Sequence, residues 1–193
     1  MDNSNLDKFQ QLLDPELTRE RLVSASLFIA AYEILRQSIC DRIRTFYTAG
    51  FGVDGDLIDP EYESEVLSRN RSPLYASLTW LAENDVLDTD DLAKFERVKS
   101  TRNEIAHSLQ KLMFGELTFD SATRFEELIE LLRKIETWWI VNVEIATDPD
   151  FGGVDVDPTE IQPGSILILQ MMFDVASGDD RLLREYEKIK NGT

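Results

Sequence analysis

The stretch from about residue 16 to 48 constrains the fold more than any other. Leu17, Val23, Phe28, Tyr32, Leu35, Ile39, Ile43 and Phe46 recur at intervals of three and four, the period of an α-helix. Its centre, residues 27–35, is apolar nearly all round, the pattern of a helix covered on several sides. Such a helix needs neighbours, and the rest of the chain offers helices. A second is expected from Ser72-Pro73, a capping residue followed by proline at the first helical position, carrying Leu74, Leu78 and Leu81 and fading near Asn84-Asp85. A third opens at Asp88 or Thr89, where acidic residues suit a helix N-terminus, and runs to about Met113 before Gly115. A fourth runs from Asp120-Ser121 to about Ile145, with Phe125, Leu128, Leu132, Ile135, Trp139 and Val143 inward. Trp138 and Trp139 are adjacent, so at least one is expected off the main stripe.

The predicted fold class is therefore all-α: an up-and-down bundle of about four main helices with an additional C-terminal helical extension. Residues 1–146 form the bundle. Residues 147–193 form an acidic loop and a helical extension packed on the same domain. The segments 48–60 and 147–165 read as loops from their glycines, prolines and aspartates. The apolar run ILILQMMF is expected to be a buried helix ending near Ser177, and GDDRLLREYEKIK a short capped terminal helix. At 193 residues the chain suits one domain rather than two.

Charge limits the partners. Twenty Lys and Arg against 37 Asp and Glu give −17, so the surface as a whole repels nucleic acid and anionic membranes. No apolar run approaches the ~18 residues of a membrane span, and the acidic, polar start MDNSNLDKFQQLLDPEL lacks the features of a secretory signal. A cytoplasmic, non-membrane protein is expected. The single cysteine, Cys40, excludes an internal disulfide and a cysteine metal site, and reads as a structural thiol. Asp54, Asp56 and Asp59, and Asp148, Asp150, Asp155 and Asp157, are oxygen-rich clusters, but neither has the spacing of a hand-type calcium loop. No metal and no cofactor are expected.

The stretch VKSTRNEIAHSLQK, residues 98–111, holds the only histidine, His107. On a helix Asn103 and His107 are neighbours, about 40° apart. Arg102 lies about 140° from His107, at the edge of an apolar stripe of Phe95, Val98, Ile105, Leu109 and Leu112. A guanidinium there needs a carboxylate, a phosphate or a partner subunit. Residues 94–111 carry Lys94, Arg97, Lys99, Arg102 and Lys111 against Glu96 and Glu104, a local +3 inside an acidic chain. An anionic substrate would require such an island. With 13 arginines in the chain, an Arg upstream of a His arises by chance, so spacing alone does not carry a site.

RNEIAH on the third helix of an all-α chain resembles the motif of the HEPN superfamily: an arginine, a polar residue directly after it, and a histidine after four to six intervening residues. Arg102, Asn103 and His107 match it, and FIAAYEILRQSI resembles the family's first long helix. The likeness covers about residues 16–146; the tail after 147 has no counterpart. The resemblance implies a metal-independent ribonuclease of a toxin–antitoxin or phage-defence system, with a site assembled where two motif helices meet across a homodimer. It implies an RNA substrate and, for a toxin, an antitoxin; the −17 charge by itself allows a basic partner protein that covers the acidic surface. Some toxin members carry a tyrosine two residues after the histidine as a target of antitoxin modification; here Leu109 stands there, so that regulation is not expected.

The chemistry fits one histidine per chain. Attack by a 2′-hydroxyl needs a base, and the leaving 5′-oxygen needs an acid. Imidazole serves both near neutral pH, and a two-fold dimer would bring two copies of His107 into one cleft. Arg102 would hold the phosphate and Asn103 would orient His107 or the substrate. Lys99, Arg97 and Lys111 would bind the RNA backbone. Glu33 or another carboxylate of the first long helix would fix the imidazole or Arg102. The alternative is a non-catalytic HEPN-like nucleotide- or protein-binding module. A third reading is a dimerisation protein in which Arg102 pairs with a glutamate across the interface.

Overall fold

The long apolar segment forms helix α2, Pro15–Phe46. Asp14 caps it, accepting hydrogen bonds from the amides of Glu16 and Leu17 at 3.0 and 3.2 Å, and Pro15 occupies the first turn, where a missing N–H costs nothing. The computed structural model describes residues 3–53, 55–116, 121–151 and 156–191. Among these, the remaining helices are α1 (Asn3–Leu13), α3 (Glu61–Glu65), α4 (Pro73–Glu83), α5 (Thr89–Met113), α6 (Ser121–Trp139), α7 (Gly164–Ala176) and α8 (Arg181–Asn191). The chain is mostly all-α.

Helices α2, α5 and α6 pack on one another, α4 packs on α2, and α7 packs on both α2 and α6. The core they enclose includes Phe28, Leu35, Ile39 and Ile43 of α2, Phe95, Val98 and Ile105 of α5, and Leu128, Leu131, Leu132 and Ile135 of α6. The window of α2 with mean hydropathy 1.2 over 18 residues is long and apolar enough to cross a membrane by composition, which corrects the expectation that no stretch approaches that length. Its apolar side chains are core residues of the bundle, so packing accounts for its hydropathy.

Three expectations need correction. Residues 48–58 are not simple loop: β1 (Thr48–Gly52) pairs antiparallel with β2 (Gly55–Ile58), Phe51 opposite Asp56. Gly55, at φ +119°, takes the backbone through the turn, and Arg44 holds the hairpin to α2 by a 2.7 Å ion pair with Asp56. Second, α7 is only half buried. Ile166 and Leu169 face the core, whereas Leu167, Ile168, Met171 and Val175 are exposed. Third, the described side chains of α8 are all exposed, so the end of the extension is not packed on the bundle.

Helix α6 ends on an aromatic cluster, and the chain continues as a π-helical turn over Ile140–Ile145. Trp80 stacks on Trp139 with centroids 5.9 Å apart and planes 4° apart. Trp138 meets both rings edge-on. Adjacent tryptophans thus share one cluster, Trp139 buried and Trp138 half-buried on its edge.

Candidate functional site

Helix α5 is fixed at its start by a reciprocal capping box. The Asp88 carboxylate accepts from the Asp91 amide at 3.0 Å, and the Asp91 carboxylate accepts from the Asp88 amide at 3.1 Å. Phe95, Val98, Thr101, Ile105 and Leu112 then bury one face. Leu109, expected in that stripe, is exposed instead. Ser108 leaves helical geometry at φ −122°, ψ 24°, and the helix kinks one residue after His107, which turns Leu109 outward.

The structure brings Arg102, Asn103 and Glu33 together. Arg102 Nη2 donates to Glu33 Oε1 at 2.9 Å, and Nη1 reaches Asn103 Oδ1 at 3.4 Å. The guanidinium lies 5.5 Å from the centroid of the buried Tyr32 ring. Its Nε is buried with no hydrogen-bond partner. Glu33 also accepts from Arg36 Nε at 2.8 Å, so one carboxylate bridges two guanidinium groups. Those bonds, Arg36 first, hold the Glu33 carboxyl below its ordinary pKa. Burial pushes the Tyr32 hydroxyl up, and the nearby Lys99 and Arg102 partly oppose it.

Lys99 joins this side of α5 through Tyr75 of α4. Its ammonium lies 4.4 Å from the Tyr75 ring centroid and also contacts the phenolic oxygen. The phenol donates to Glu96 Oε1 at 2.7 Å. The hydrogen bond with Tyr75 raises the Lys99 pKa.

The other expected residues lie apart. Arg97 points to the α6 side, in a 2.7 Å ion pair with Glu127. Lys94 reaches Asp90 and Glu130, each at 3.2 Å. Lys111 and His107 are exposed, with no hydrogen bond or ion pair among the described residues. The local +3 is therefore not a free basic surface: carboxylates from α2 and α6, with Asp90 and Glu96 of α5 itself, cover most of it. Counting charge along one helix omits what packing brings alongside.

Of the two groups that Glu33 was expected to serve, Arg102 is the one it touches. Tyr32, Arg36, Tyr75 and Glu96 were not anticipated at the site. One signal was present, since Glu33 is the lone charge in the apolar stretch 27–35, and a charge there needs a partner. Nothing in the sequence paired Tyr75 with Lys99.

Among the described residues no three His, Cys, Asp or Glu side chains are grouped to hold a metal ion; Asp54 and Asp155 lie outside them. Cys40 is half-buried, and burial raises its thiol pKa. The α5 surface thus presents an exposed, unpartnered imidazole one turn beyond an amide, and the amide contacts an anchored guanidinium. No family model matches the chain, and no curated protein or solved structure matches it.

Proposed function

We propose that the chain is a HEPN-type endoribonuclease, acting on cytoplasmic RNA in a toxin–antitoxin or defence setting, with its site formed by two copies across the outer face of α5. The observation that carries the reading is the pairing of states on one helix. Arg102 is anchored beside Asn103, while His107 is exposed and unpartnered. In one copy the imidazole has no second acid–base group of its own kind, because the chain has one histidine.

In the composite site, one His107 takes the 2′-hydroxyl proton and the other protonates the departing 5′-oxygen. The 2′-oxygen bonds to phosphorus as the bond to the 5′-oxygen breaks, giving a 2′,3′-cyclic phosphate and a 5′-hydroxyl. Arg102 offers N–H donors to the phosphate as charge builds on its non-bridging oxygens. Glu33 orients that guanidinium and holds it against α2. Asn103, in contact with Arg102 and one turn from His107, positions either. Lys99 and Lys111 flank the path of the backbone, and Arg97 is held by Glu127.

The test is cleavage of RNA in EDTA with product analysis. Wild type is expected to yield cyclic-phosphate ends, and His107→Ala to lose at least about 100-fold in rate, within the usual contribution of a general acid or base. Identical behaviour of the two proteins overturns the reading.

The neutralised island favours one rival, a non-catalytic nucleotide- or protein-binding module. Glu33 and Glu127 occupy cations that an RNA-binding surface would leave available. That reading predicts binding without cleavage, unchanged in His107→Ala.

A further inference from the structure

Helix α8 carries Leu182, Leu183, Tyr186 and Ile189 at spacings that place them on one face, and all four are exposed, Ile189 at 79%. Such a face on an 11-residue helix is amphipathic, and these four side chains are left uncovered. A second uncovered face lies just before it. Ile168, Met171, Met172, Val175 and Ala176 of α7 line an apolar groove with Leu27 of α2, a cavity of about 440 Å³. The two elements are joined by the turn 177–180, where Gly178 sits at φ +85° and the Asp179 amide bonds back to Asp174 at 2.9 Å. That turn closes α7 and sends α8 away from the groove.

We infer that α8 of one copy lies in the α7–α2 groove of a second copy, and that the exchange is reciprocal about a two-fold axis. Two observations select this occupant, and a third permits it. Each copy carries both halves, one apolar stripe and one apolar groove, so a single two-fold contact covers both. Their lengths agree: the 11 residues of α8 and the 13 of α7 span about 16 and 20 Å. Charge permits the contact. Arg181 and Arg184 are paired with Asp179 and Asp180 at 2.5 and 2.7 Å, and Lys188 and Lys190 balance Glu185 and Glu187, so the arm is close to neutral. Asp174 is the only charged residue of α7. Copies of a −17 chain repel at a distance, and two nearly uncharged surfaces are where they can meet without adding to that repulsion.

This contact is separate from the one proposed for RNA cleavage. Helices α5 and α7 both pack on the α2–α6 pair and make little contact with each other, which puts them on its two sides. On α2 the separation is direct: Glu33 meets α5, whereas Leu27 lines the groove beside α7.

The experiment uses the full chain. Sedimentation equilibrium compares wild type with Tyr186→Glu/Ile189→Glu and, independently, Met171→Glu; all three positions are exposed, and circular dichroism checks that each variant is folded. Each variant is expected to lower the mass of the assembled species, to the monomer where the α8 contact acts alone and to the α5 dimer where that contact also forms. Its apparent Kd should rise at least about 100-fold, as loss of one or two buried apolar side chains implies. In a Cys40→Ser background, equal amounts of a Val175→Cys chain and an Ile189→Cys chain are mixed and oxidised, and a disulfide-linked pair of unlike chains is the expected product. Unchanged mass in both variants overturns the inference. So does a chain carrying both cysteines that closes only on itself. Binding of wild type to phosphatidylserine vesicles, lost in Tyr186→Glu/Ile189→Glu with no change of mass, also overturns it and assigns α8 to a membrane surface.

Discussion

Replacing Arg42 with methionine removes the only counter-charge, among the described residues, on a buried carboxylate. Glu136 of α6 is 4% exposed. Its Oε2 accepts from Arg42 Nη2 at 2.6 Å, and its Oε1 from Ser38 Oγ at 2.5 Å. Arg42 also reaches Glu144 of the π-helical turn, so this guanidinium ties α2 to both parts of the α6 segment. Without it, Glu136 keeps one hydroxyl donor and no positive charge. Breaking a buried pair from one side costs about 3–5 kcal/mol. Because the Arg42 side chain is 37% exposed, water partly replaces it, and about 3 kcal/mol or somewhat less is expected. For a chain of this size that corresponds to about 6–12 °C in Tm. Urea unfolding at neutral pH, followed by far-ultraviolet circular dichroism, measures it. Arg42→Met/Glu136→Met, which removes both charges and keeps the volume apolar, should recover at least half of the loss. An Arg42→Met protein within about 0.5 kcal/mol of wild type refutes the reasoning, as does a double variant no more stable than the single one.

Three further perturbations probe other elements. Asp14→Ala removes the cap of α2 and should cost about 1 kcal/mol, read by the same urea titration; no change means the cap is replaced by solvent. Gly115→Ala places a Cβ 2.2 Å from Gln11 Oε1 at a φ of +68°, so it should destabilise by about 1–3 kcal/mol and loosen α1 from the end of α5, seen as faster amide exchange in α1. Glu33→Gln tests the site's electrostatics. The Glu33 carboxyl sits below its ordinary pKa of 4.5, so its contribution is present above that pH and is lost as pH falls through the depressed value. Wild-type stability should therefore fall more steeply than that of Glu33→Gln on acidification below about pH 4.5. The effect should stay under about 1 kcal/mol because the pair is partly exposed, and parallel curves would show that the bridge adds nothing.

Much of the helical frame was legible because its signals are local. Ser72-Pro73 and Asp88 to Asp91 mark helix starts, the first through proline at the first helical position, since Ser72 makes no side-chain cap bond, the second through its carboxylates, and Gly115, at φ +68°, marks a helix end. The apolar period of α2 and α6 selects their buried faces. What escaped depends on non-local pairing. The hairpin at Thr48–Ile58 consists of glycine-rich residues that read as loop until two short strands lie side by side. The run 166–173 is apolar enough for a buried helix, yet the bundle has only one face to offer it, so Leu167, Ile168 and Met171 remain exposed. At the candidate site, Arg102 and Glu33 were individually recognisable as charges needing partners. Their mutual contact spans 69 positions of sequence and required the fold.

The same distinction decides how the motif helix is to be read. As a linear segment, residues 94–111 form a basic island; in the folded chain Lys94, Arg97 and Arg102 each meet a carboxylate, and Lys99 meets a phenol that is itself bonded to Glu96. General attraction of RNA by this face is therefore weak, and any binding must come from groups that a phosphate can engage in place of a carboxylate. Arg102 is suited to that exchange. It is 31% exposed, its guanidinium has further N–H donors, and its competitor Glu33 already has Arg36 as a second partner. When a phosphate takes the exposed edge of Arg102, Glu33 keeps a counter-charge, so the exchange does not strand a carboxylate. His107 stands outside this network. Under the proposed reading, a residue so placed contributes to a reaction only when a surface closes over it, and for a chain with one imidazole the surface proposed to complete the chemistry is a second α5.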